Sequence, residues 1–320
     1  MANANSSFGS LATTTLQKYL PKMEETVYTS RPLFFWLNDK QRMDTRGGRT
    51  IVQPLVTEFN STVSSYDGYD AIDTTPQDEF SAAEYQWKQV AASVAASGRE
   101  IRINQGSEAV QRLVKQKIMS AENTLKEWMD YMFFGDGTGN NSKDFLGLAA
   151  IVDDSADLAG IDKDHGILGP DGVEINPWQS TCTTSATNLT LALARTLYNT
   201  ISVGNDHPDF IISDQDEFEA YEALLQPSVR YKDVKTANAG FENLTFKGSV
   251  WTYDDYATAG YVYMLNSKYL ELVRHSDAWF SQTPFKEPEN QDAQYAQILL
   301  MGELTTNNRS RHGRLDGLTD

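Results

Sequence analysis

The chain has 320 residues, of which 40% are hydrophobic, and it carries a formal net charge of −17. This length favours two structural lobes over one compact unit, and the hydrophobic content excludes a disordered chain. The acidic charge argues against binding to nucleic-acid phosphates and to anionic membranes. We see no bilayer-spanning apolar stretch and no secretory signal. The single cysteine, Cys182, excludes an intrachain disulfide and a Cys-rich metal site.

The first 46 residues predict an arm followed by a short helix. Residues 1–30 carry irregularly spaced apolar side chains, and Pro21 interrupts any single helix. This arm has too little core of its own, so we expect it to lie on another surface. In residues 31–37, Pro32 precedes a strongly apolar cluster, which predicts a short buried helix.

Two strands joined by a long polar connection come next. Residues 49–59 predict a strand in which Pro54 cannot donate a ladder hydrogen bond, so the strand must lie at an edge or carry a bulge. Alternating side chains predict a second strand over residues 83–94, whereas helix and strand both stay open for the Ala-rich end of this stretch. Residues 58–84 contain no Lys or Arg and seven acidic residues: Glu58, Asp67, Asp70, Asp73, Asp78, Glu79 and Glu84.

This acidic ribbon predicts a contact between subunits. A two-stranded ribbon is marginal alone in water and leaves unpaired edges, so a protein that lays it across a neighbour gains most from it. We hypothesise that the acids dock on basic positions of the next copy, where exposed ion pairs of about 0–1 kcal/mol each set the register. A solvated acidic loop is the alternative. The candidate basic partners are Arg42, Arg46, Arg49, Arg309, Arg311 and Arg314.

The remaining sequence predicts a long helix and then an α/β or α+β lobe. Apolar spacings of three and four over residues 107–134, with Ser107 as candidate N-cap, predict a helix of about 40 Å that ends at Gly135. Further helices are expected over residues 189–201 and after Ser213, which would cap the second one. The strand candidates are residues 146–152, 173–175, 210–212, 244–253, 260–265, 269–274 and 294–304.

We find no motif of a catalytic, metal or cofactor site. The four histidines, at positions 165, 207, 275 and 312, are scattered, and no zinc helix, nucleophile elbow or phosphate-binding loop occurs. In the Asp-rich loop of residues 153–171, Gly166 comes one residue too early for an EF-hand. A solvated loop is therefore favoured there, with weak cation binding left open. We predict no catalytic residue, no metal site, no cofactor and no enzymatic activity; a soluble enzyme with an unrecognised site is the remote alternative.

The order of these elements resembles the tailed-bacteriophage major capsid protein family. Three runs carry the resemblance: Gly98-Arg99-Glu100-Ile101-Arg102-Ile103 before the long helix, Phe133-Phe134-Gly135-Asp136-Gly137 at its end, and Phe145-Leu146-Gly147-Leu148. The resemblance implies an α+β phage capsid fold. Its parts would be an N-terminal arm (1–30), a peripheral domain with a long spine helix (31–46, 99–180 and 276–320), an extended β-hairpin loop (47–98) and an α/β axial domain (181–275).

The resemblance also implies a function. The chain would be a major capsid protein that self-assembles, as pentamers and hexamers, into the icosahedral head shell around the double-stranded DNA of a tailed bacteriophage. Such a shell would assemble in the host cytoplasm and end in the virion, and it would enclose DNA without sequence-specific binding. It would need a separate scaffolding protein, a portal and, as a further candidate, a decoration protein. An encapsulin-like cellular nanocompartment shell, which shares the fold, is the alternative.

One departure from the family concerns covalent crosslinks. Some members join subunits through an isopeptide bond from a lysine in the extended loop, but no lysine lies between Lys40 and Lys88 in this sequence. We therefore predict no crosslink from the loop tip. Some members also begin with a cleaved scaffolding segment, whereas this sequence starts with the arm, and for this reason a separate scaffolding protein is expected.

Overall fold

The computed structural model describes residues 31–40, 42–45, 47–56, 58–103, 107–168, 174–225 and 244–319. The predicted arm, residues 1–30, lies outside these ranges. Helices and strands are mixed along the described chain, so the predicted α+β class is confirmed. None of the helices in these ranges has the length and apolar character needed to cross a membrane.

The elements follow the predicted order. The helices are α1 (Pro32–Lys40), α2 (Gly98–Ile103), α3 (Ser107–Phe134), α4 (Gly139–Ser142), α5 (Leu148–Ile151), α6 (Leu191–Ile201) and α7 (Gln215–Leu224). The strands are β1 (Arg42–Thr45), β2 (Thr50–Val56), β3 (Phe80–Gln86), β4 (Lys88–Ser97), β5 (Ile167–Leu168), β6 (Glu174–Ile175), β7 (Thr181–Thr184), β8 (Phe210–Ser213), β9 (Leu244–Phe246), β10 (Ser249–Tyr253), β11 (Val262–Leu265), β12 (Leu270–His275), β13 (Ser281–Gln282), β14 (Ala293–Thr306) and β15 (Gly313–Asp316).

The first sheet is built around the long strand β14. Its order is β1-β12-β14-β13, and β4 also pairs with β14, from Ser97 opposite Ala293 to Lys88 opposite Gly302. The long helix α3 packs against β4 and β14. The predicted helix and the predicted final strand are thus confirmed, and the Ala-rich stretch left open between helix and strand is part of β4.

The second sheet carries its own hydrophobic core. Its order is β7-β15-β11-β8-β10-β9. Helices α6 and α7 bury Leu197, Ile201 and Tyr221 in this core, and the Tyr221 ring stacks on Trp251 with 4.1 Å between ring centroids. The aromatic stack adds roughly 1 kcal/mol to the burial of its two rings.

Two strands pair across the predicted division into domains, and the division itself stays a prediction. Leu270–His275 was placed in the axial domain, but it pairs with β1 and β14 of the first sheet. Gly313–Asp316 was placed in the peripheral domain, but it pairs with β7 and β11 of the second sheet. These partners are distant in sequence, so neither assignment follows from local pattern.

Three local predictions are also corrected. A helical turn, Leu148–Ile151, lies where a strand was predicted over residues 146–152, because Leu148, Ile151 and Val152 are buried at helical spacing. The cap of α7 is Asp214 and not Ser213: its Oδ1 accepts from the backbone N–H of Glu217 at 3.3 Å. The single strand predicted over residues 83–94 is two strands, β3 and β4, which meet at Trp87.

Candidate assembly interface

The acidic ribbon consists of β2, β3 and the connection between them. The two strands pair antiparallel from Thr50 opposite Gln86 to Val56 opposite Phe80, and neither pairs with another described strand. The predicted edge position of Pro54, which lies opposite Ala82, is therefore confirmed.

The base of the ribbon is fixed to the first sheet. The Tyr85 hydroxyl donates to the Thr306 carbonyl at 2.7 Å and accepts from the Thr306 N–H at 3.2 Å. Burial raises the pKa of Tyr85, so this hydroxyl keeps its proton at physiological pH. The Gln53 amide donates to the Glu271 carboxylate at 3.1 Å. With Ile51 and Ala83 also buried, the ribbon leaves the subunit in a defined direction.

The outer part of the ribbon exposes apolar side chains, which the acid-centred reading of the sequence missed. Eight of the eighteen exposed large apolar side chains in the described part of the chain belong to residues 52–80: Val52, Val56, Phe59, Val63, Tyr66, Tyr69, Ile72 and Phe80. Tyr69 is 106% exposed and Val63 is 84% exposed. A concentration of this kind marks an interaction surface. The signal was present in the sequence, as large apolar residues between Gly, Ser and Asp.

The acids of the ribbon shape its tip while they keep their charge in solvent. The Asp67 N–H donates to the Asp70 carboxylate at 2.9 Å. The Thr75 hydroxyl and N–H donate to Asp73 at 2.6 and 2.9 Å, and these bonds lower the pKa of Asp73. Within the described ranges, six of the seven predicted acids form no ion pair: Glu58, Asp67, Asp70, Asp73, Asp78 and Glu84.

Arg309 is removed from the set of docking residues. Its side chain is fully buried and donates to four backbone carbonyls, those of Ala150, Ile151, Asp153 and Ala156, at 2.7–3.0 Å. These bonds tie the turn before β15 to helix α5 and the loop after it. The expectation that Arg309 contacts a neighbour is wrong, because the guanidinium is used inside the subunit.

The other basic candidates differ in how available they are. Arg314 is largely buried and donates to Asp316 and to the Val152 carbonyl, each at 2.9 Å. Arg49 is exposed and Arg311 is half-buried, and neither forms an ion pair with a described residue. The side chains of Arg42 and Arg46 lie outside the described part of the chain.

The Asp-rich loop after α5 was predicted to be solvated, but hydrogen bonds hold its first residue, Asp153, inside the subunit. Asp153 is buried and accepts from the Ser155 hydroxyl and N–H and from the Ala156 N–H. Burial opposes its ionisation, but these bonds and the Arg314 charge outweigh that effect and lower the pKa of Asp153. Asp153, Asp154 and Cys182 hold possible ligand atoms within 4.8 Å of one another. Burial raises the pKa of the Cys182 thiol to about 12, so a cation that binds there at neutral pH must displace a tightly held proton.

Comparison with known proteins identifies the fold. No model of a protein family and no curated protein matches the chain. Among solved structures, it is similar to the capsid asymmetric unit of cyanophage A-1(L), at 14% identity over 95% of this chain and 97% of that one, with a TM-score of 0.69. The capsid of a native GTA particle gives 7% identity over the whole of both chains and a TM-score of 0.59. The holo-SrpI encapsulin complex from Synechococcus elongatus PCC 7942 gives 11% identity over 93% and 92%, with a TM-score of 0.57. The predicted capsid fold is thereby confirmed.

Proposed function

We propose that this chain is a major capsid protein, which self-assembles into the icosahedral head shell around the double-stranded DNA of a tailed bacteriophage. The observation that carries the proposal is the ribbon: its base is fixed to the subunit, while its outer part exposes eight large apolar side chains. Burial of apolar surface contributes about 25 cal/mol per Å², so a neighbour that covers this surface supplies a strong contact. Symmetry repeats the contact throughout a closed shell.

The charges of the ribbon have a second role in this proposal. The acids dock on basic positions of the next copy, for which exposed Arg49 and half-buried Arg311 are the available candidates. Exposed pairs contribute about 0–1 kcal/mol each, so the apolar side chains supply the affinity and the acids set register and orientation. The net charge of −17 lets the shell enclose DNA without gripping it.

The proposed shell contains pentamers and hexamers of this chain, assembles in the host cytoplasm and becomes part of the virion. A separate scaffolding protein, a portal and a decoration protein are the proposed further partners. Electron microscopy of the purified protein tests the proposal: closed shells are expected, with DNA inside when they are purified from infected cells. A monodisperse monomer under all assembly conditions would contradict it.

Deletion of Ser61–Asp78 isolates the ribbon. These residues bond to each other, as in the 2.8 Å bond from the Ser61 hydroxyl to Gln77, and their deletion removes no buried core residue. The shortened subunit is therefore expected to fold, with an unchanged circular dichroism spectrum and unfolding midpoint, but not to form shells. Shells of normal size and yield from this variant would remove the main support for the proposal.

A cellular nanocompartment is the second candidate, favoured by the similarity to the encapsulin complex. The contents of the particles separate the two functions. Mass spectrometry and nuclease digestion of particles from the native source are expected to find DNA and no enclosed enzyme. A single abundant enzyme inside DNA-free shells would favour the nanocompartment.

A further inference from the structure

The strand β2 has an outer edge, on the side away from β3, that pairs with no other described strand. In an antiparallel pair, residues that bond to each other alternate with residues whose N–H and C=O groups point away from the partner strand. The Glu84 N–H donates to the Ala159 carbonyl at 3.0 Å, outside the ribbon. Glu84 lies opposite Val52, so Val52 directs its backbone groups away from β3. The same holds two and four residues further along β2, at Pro54 and Val56.

This outer edge of β2 is available to another strand. Within the described ranges, no backbone hydrogen bond reaches Val52, Pro54 or Val56 from this side. The side chains of Val52 and Val56 are 52% and 62% exposed. The nitrogen of Pro54 also points outward, so its missing N–H removes no bond between β2 and β3. An exposed apolar edge of this kind is a template for the addition of a strand.

A depression of about 190 Å³ lies beside the end of β2. Its lining includes the apolar side chains of Leu55 and Pro177, the indole of Trp178, and Asn307. Oδ1 of Asn307 is buried and has no hydrogen-bond partner among the described residues. Because a buried acceptor without a donor is unfavourable, a ligand that brings a donor to Asn307 gains from this site.

A strand added to the outer edge of β2 would direct every second side chain toward the depression. Ile51 and Leu55 pack on the hydrophobic core, so this face of β2 is turned toward the body of the subunit. Paired strands share their two faces, and successive side chains alternate between them. A side chain with an apolar stem and a donor at its end matches the apolar lining and the acceptor of Asn307, and lysine has this form.

We propose that the outer edge of β2 binds an extended segment of a basic partner protein, which adds a strand to the ribbon and places a lysine side chain against Asn307. The charge of the chain favours a basic partner, because the net charge is −17 and residues 58–84 contain no Lys or Arg. The same stretch of a second copy therefore has no lysine to supply. In this mode of recognition, backbone bonds supply affinity and the depression supplies specificity. The site is complete within one subunit, so the inference does not depend on a shell.

Fluorescence anisotropy of a synthetic probe, measured with the purified subunit, tests the proposal. The probe is a fluorescein-labelled peptide of alternating valine and threonine with one central lysine. Its matched control carries norleucine at that position, which keeps most of the apolar stem and lacks the amine. The lysine peptide is expected to bind at least tenfold more tightly than the norleucine peptide. In N307L, which removes the acceptor, this preference is expected to disappear.

Val56→Pro tests the edge itself. The substitution removes an N–H that points away from β3, so the circular dichroism spectrum is expected to stay unchanged while binding of the lysine peptide falls at least fivefold. V56A, which keeps the N–H, is the matched control and is expected to bind within about twofold of the original protein.

Three results would overturn the proposal: no saturable binding of the lysine peptide, a preference for lysine that survives N307L, or equal binding by V56P and V56A. Loss of subunit dimers in V56P without any change in peptide binding would assign the edge to a second copy, and would overturn it as well. If V56P does not fold, the norleucine peptide and N307L still decide the question.

Discussion

Arg309 shows how a charged residue can be structural in a protein whose surface charge suggests docking. Its five N–H groups form a planar fork, and four backbone carbonyls converge on that fork in the buried turn before β15. Sequence pattern cannot reveal this, because the carbonyls come from residues 150–156 and meet Arg309 only in the tertiary fold. Arg311 in the same turn and Arg314 in β15 have no sequence feature that distinguishes them from Arg309.

We predict that R309A lowers the free energy of unfolding by about 3 kcal/mol or more, since it leaves buried carbonyl oxygens without donors. Urea unfolding of the purified subunit, followed by circular dichroism, measures the change. R311A is the matched control: Arg311 is two residues away and half-buried, so a change within about 0.5 kcal/mol is expected. Equal effects of the two substitutions would contradict the structural role of Arg309.

The Asp130–Asp254 pair is a second residue-scale feature, because two buried carboxyl groups influence each other's ionisation. Burial and the neighbouring Asp254 charge raise the pKa of Asp130 well above its usual range, and burial raises the pKa of Asp254 to about 6. Oδ2 of each carboxyl group is buried, and neither oxygen has a hydrogen-bond partner among the described residues. We therefore expect the two groups to share one proton, with Arg31 as the nearby positive charge.

The sign of the pH dependence follows from these raised pKa values. The folded subunit keeps protons that the unfolded chain releases above about pH 4, so this stabilisation is complete below about pH 4. It declines as the pH rises, with the contribution of Asp254 lost through about pH 6 and that of Asp130 at higher pH. In D130N the amide donates to Asp254 at every pH. We therefore expect the stability of the original protein to fall, relative to D130N, between pH 4.5 and 7.5.

Urea midpoints of both proteins at several pH values in this range measure the difference. Glu303, whose pKa burial raises to about 8, adds a pH dependence that both proteins share, so the difference isolates the carboxyl pair. Parallel stability curves for the two proteins would exclude a shared proton at this site.

At the scale of elements, apolar periodicity predicts the long helix well, but the sequence does not show which strands pair with each other. The apolar spacing over 28 residues predicted α3 to its last residue, because each further helical turn repeats the same pattern. The cap of α7 was placed one residue early, because Ser213 and Asp214 are both capping residues and the spacing to Glu217 decides between them. The sheets to which β12 and β15 belong depend on long-range pairing, which local sequence does not encode.

For the ribbon, we predict that loss of two exposed tyrosine rings weakens assembly without unfolding the subunit. Tyr66 and Tyr69 are 65% and 106% exposed, so Y66S/Y69S is expected to change the free energy of unfolding by no more than about 0.5 kcal/mol. If these rings are buried against a neighbour, the same variant should raise the critical concentration for assembly at least tenfold, which corresponds to about 1.4 kcal/mol. Sedimentation of assembly reactions over a range of subunit concentrations measures it.

Y66F/Y69F is the matched control for the ribbon, because it keeps both rings and removes only the hydroxyl groups. Its critical concentration is expected to stay within about twofold of the original value. An equal loss of assembly in both variants would assign the contact to the hydroxyl groups, and no loss in either would assign the interface to another surface.

At the scale of the whole molecule, the two sheets make one body from which the ribbon projects. Residues of the second sheet, such as Phe210 and Tyr263, pack in the same hydrophobic core as Phe133 and Leu300 of the first lobe. After β14 of the first sheet, the chain continues into β15 of the second sheet. The two sheets are thus also connected by consecutive strands. A rigid body of this kind can be repeated in a shell, with the ribbon proposed to make contacts between copies.

The shell proposed for this chain is held without covalent bonds from the loop. No lysine lies between Lys40 and Lys88, and the Lys88 amine donates to the Ser142 carbonyl of its own subunit, so the ribbon tip has no amine to form an isopeptide bond. Purified shells heated in SDS are therefore expected to give a single band at the subunit mass of 35.8 kDa. Electron microscopy of the unheated sample must first show intact shells, so that a monomer band reports disassembly. A ladder of bands at multiples of the subunit mass would mean that another lysine reaches a neighbour, and mass spectrometry of those bands would identify it.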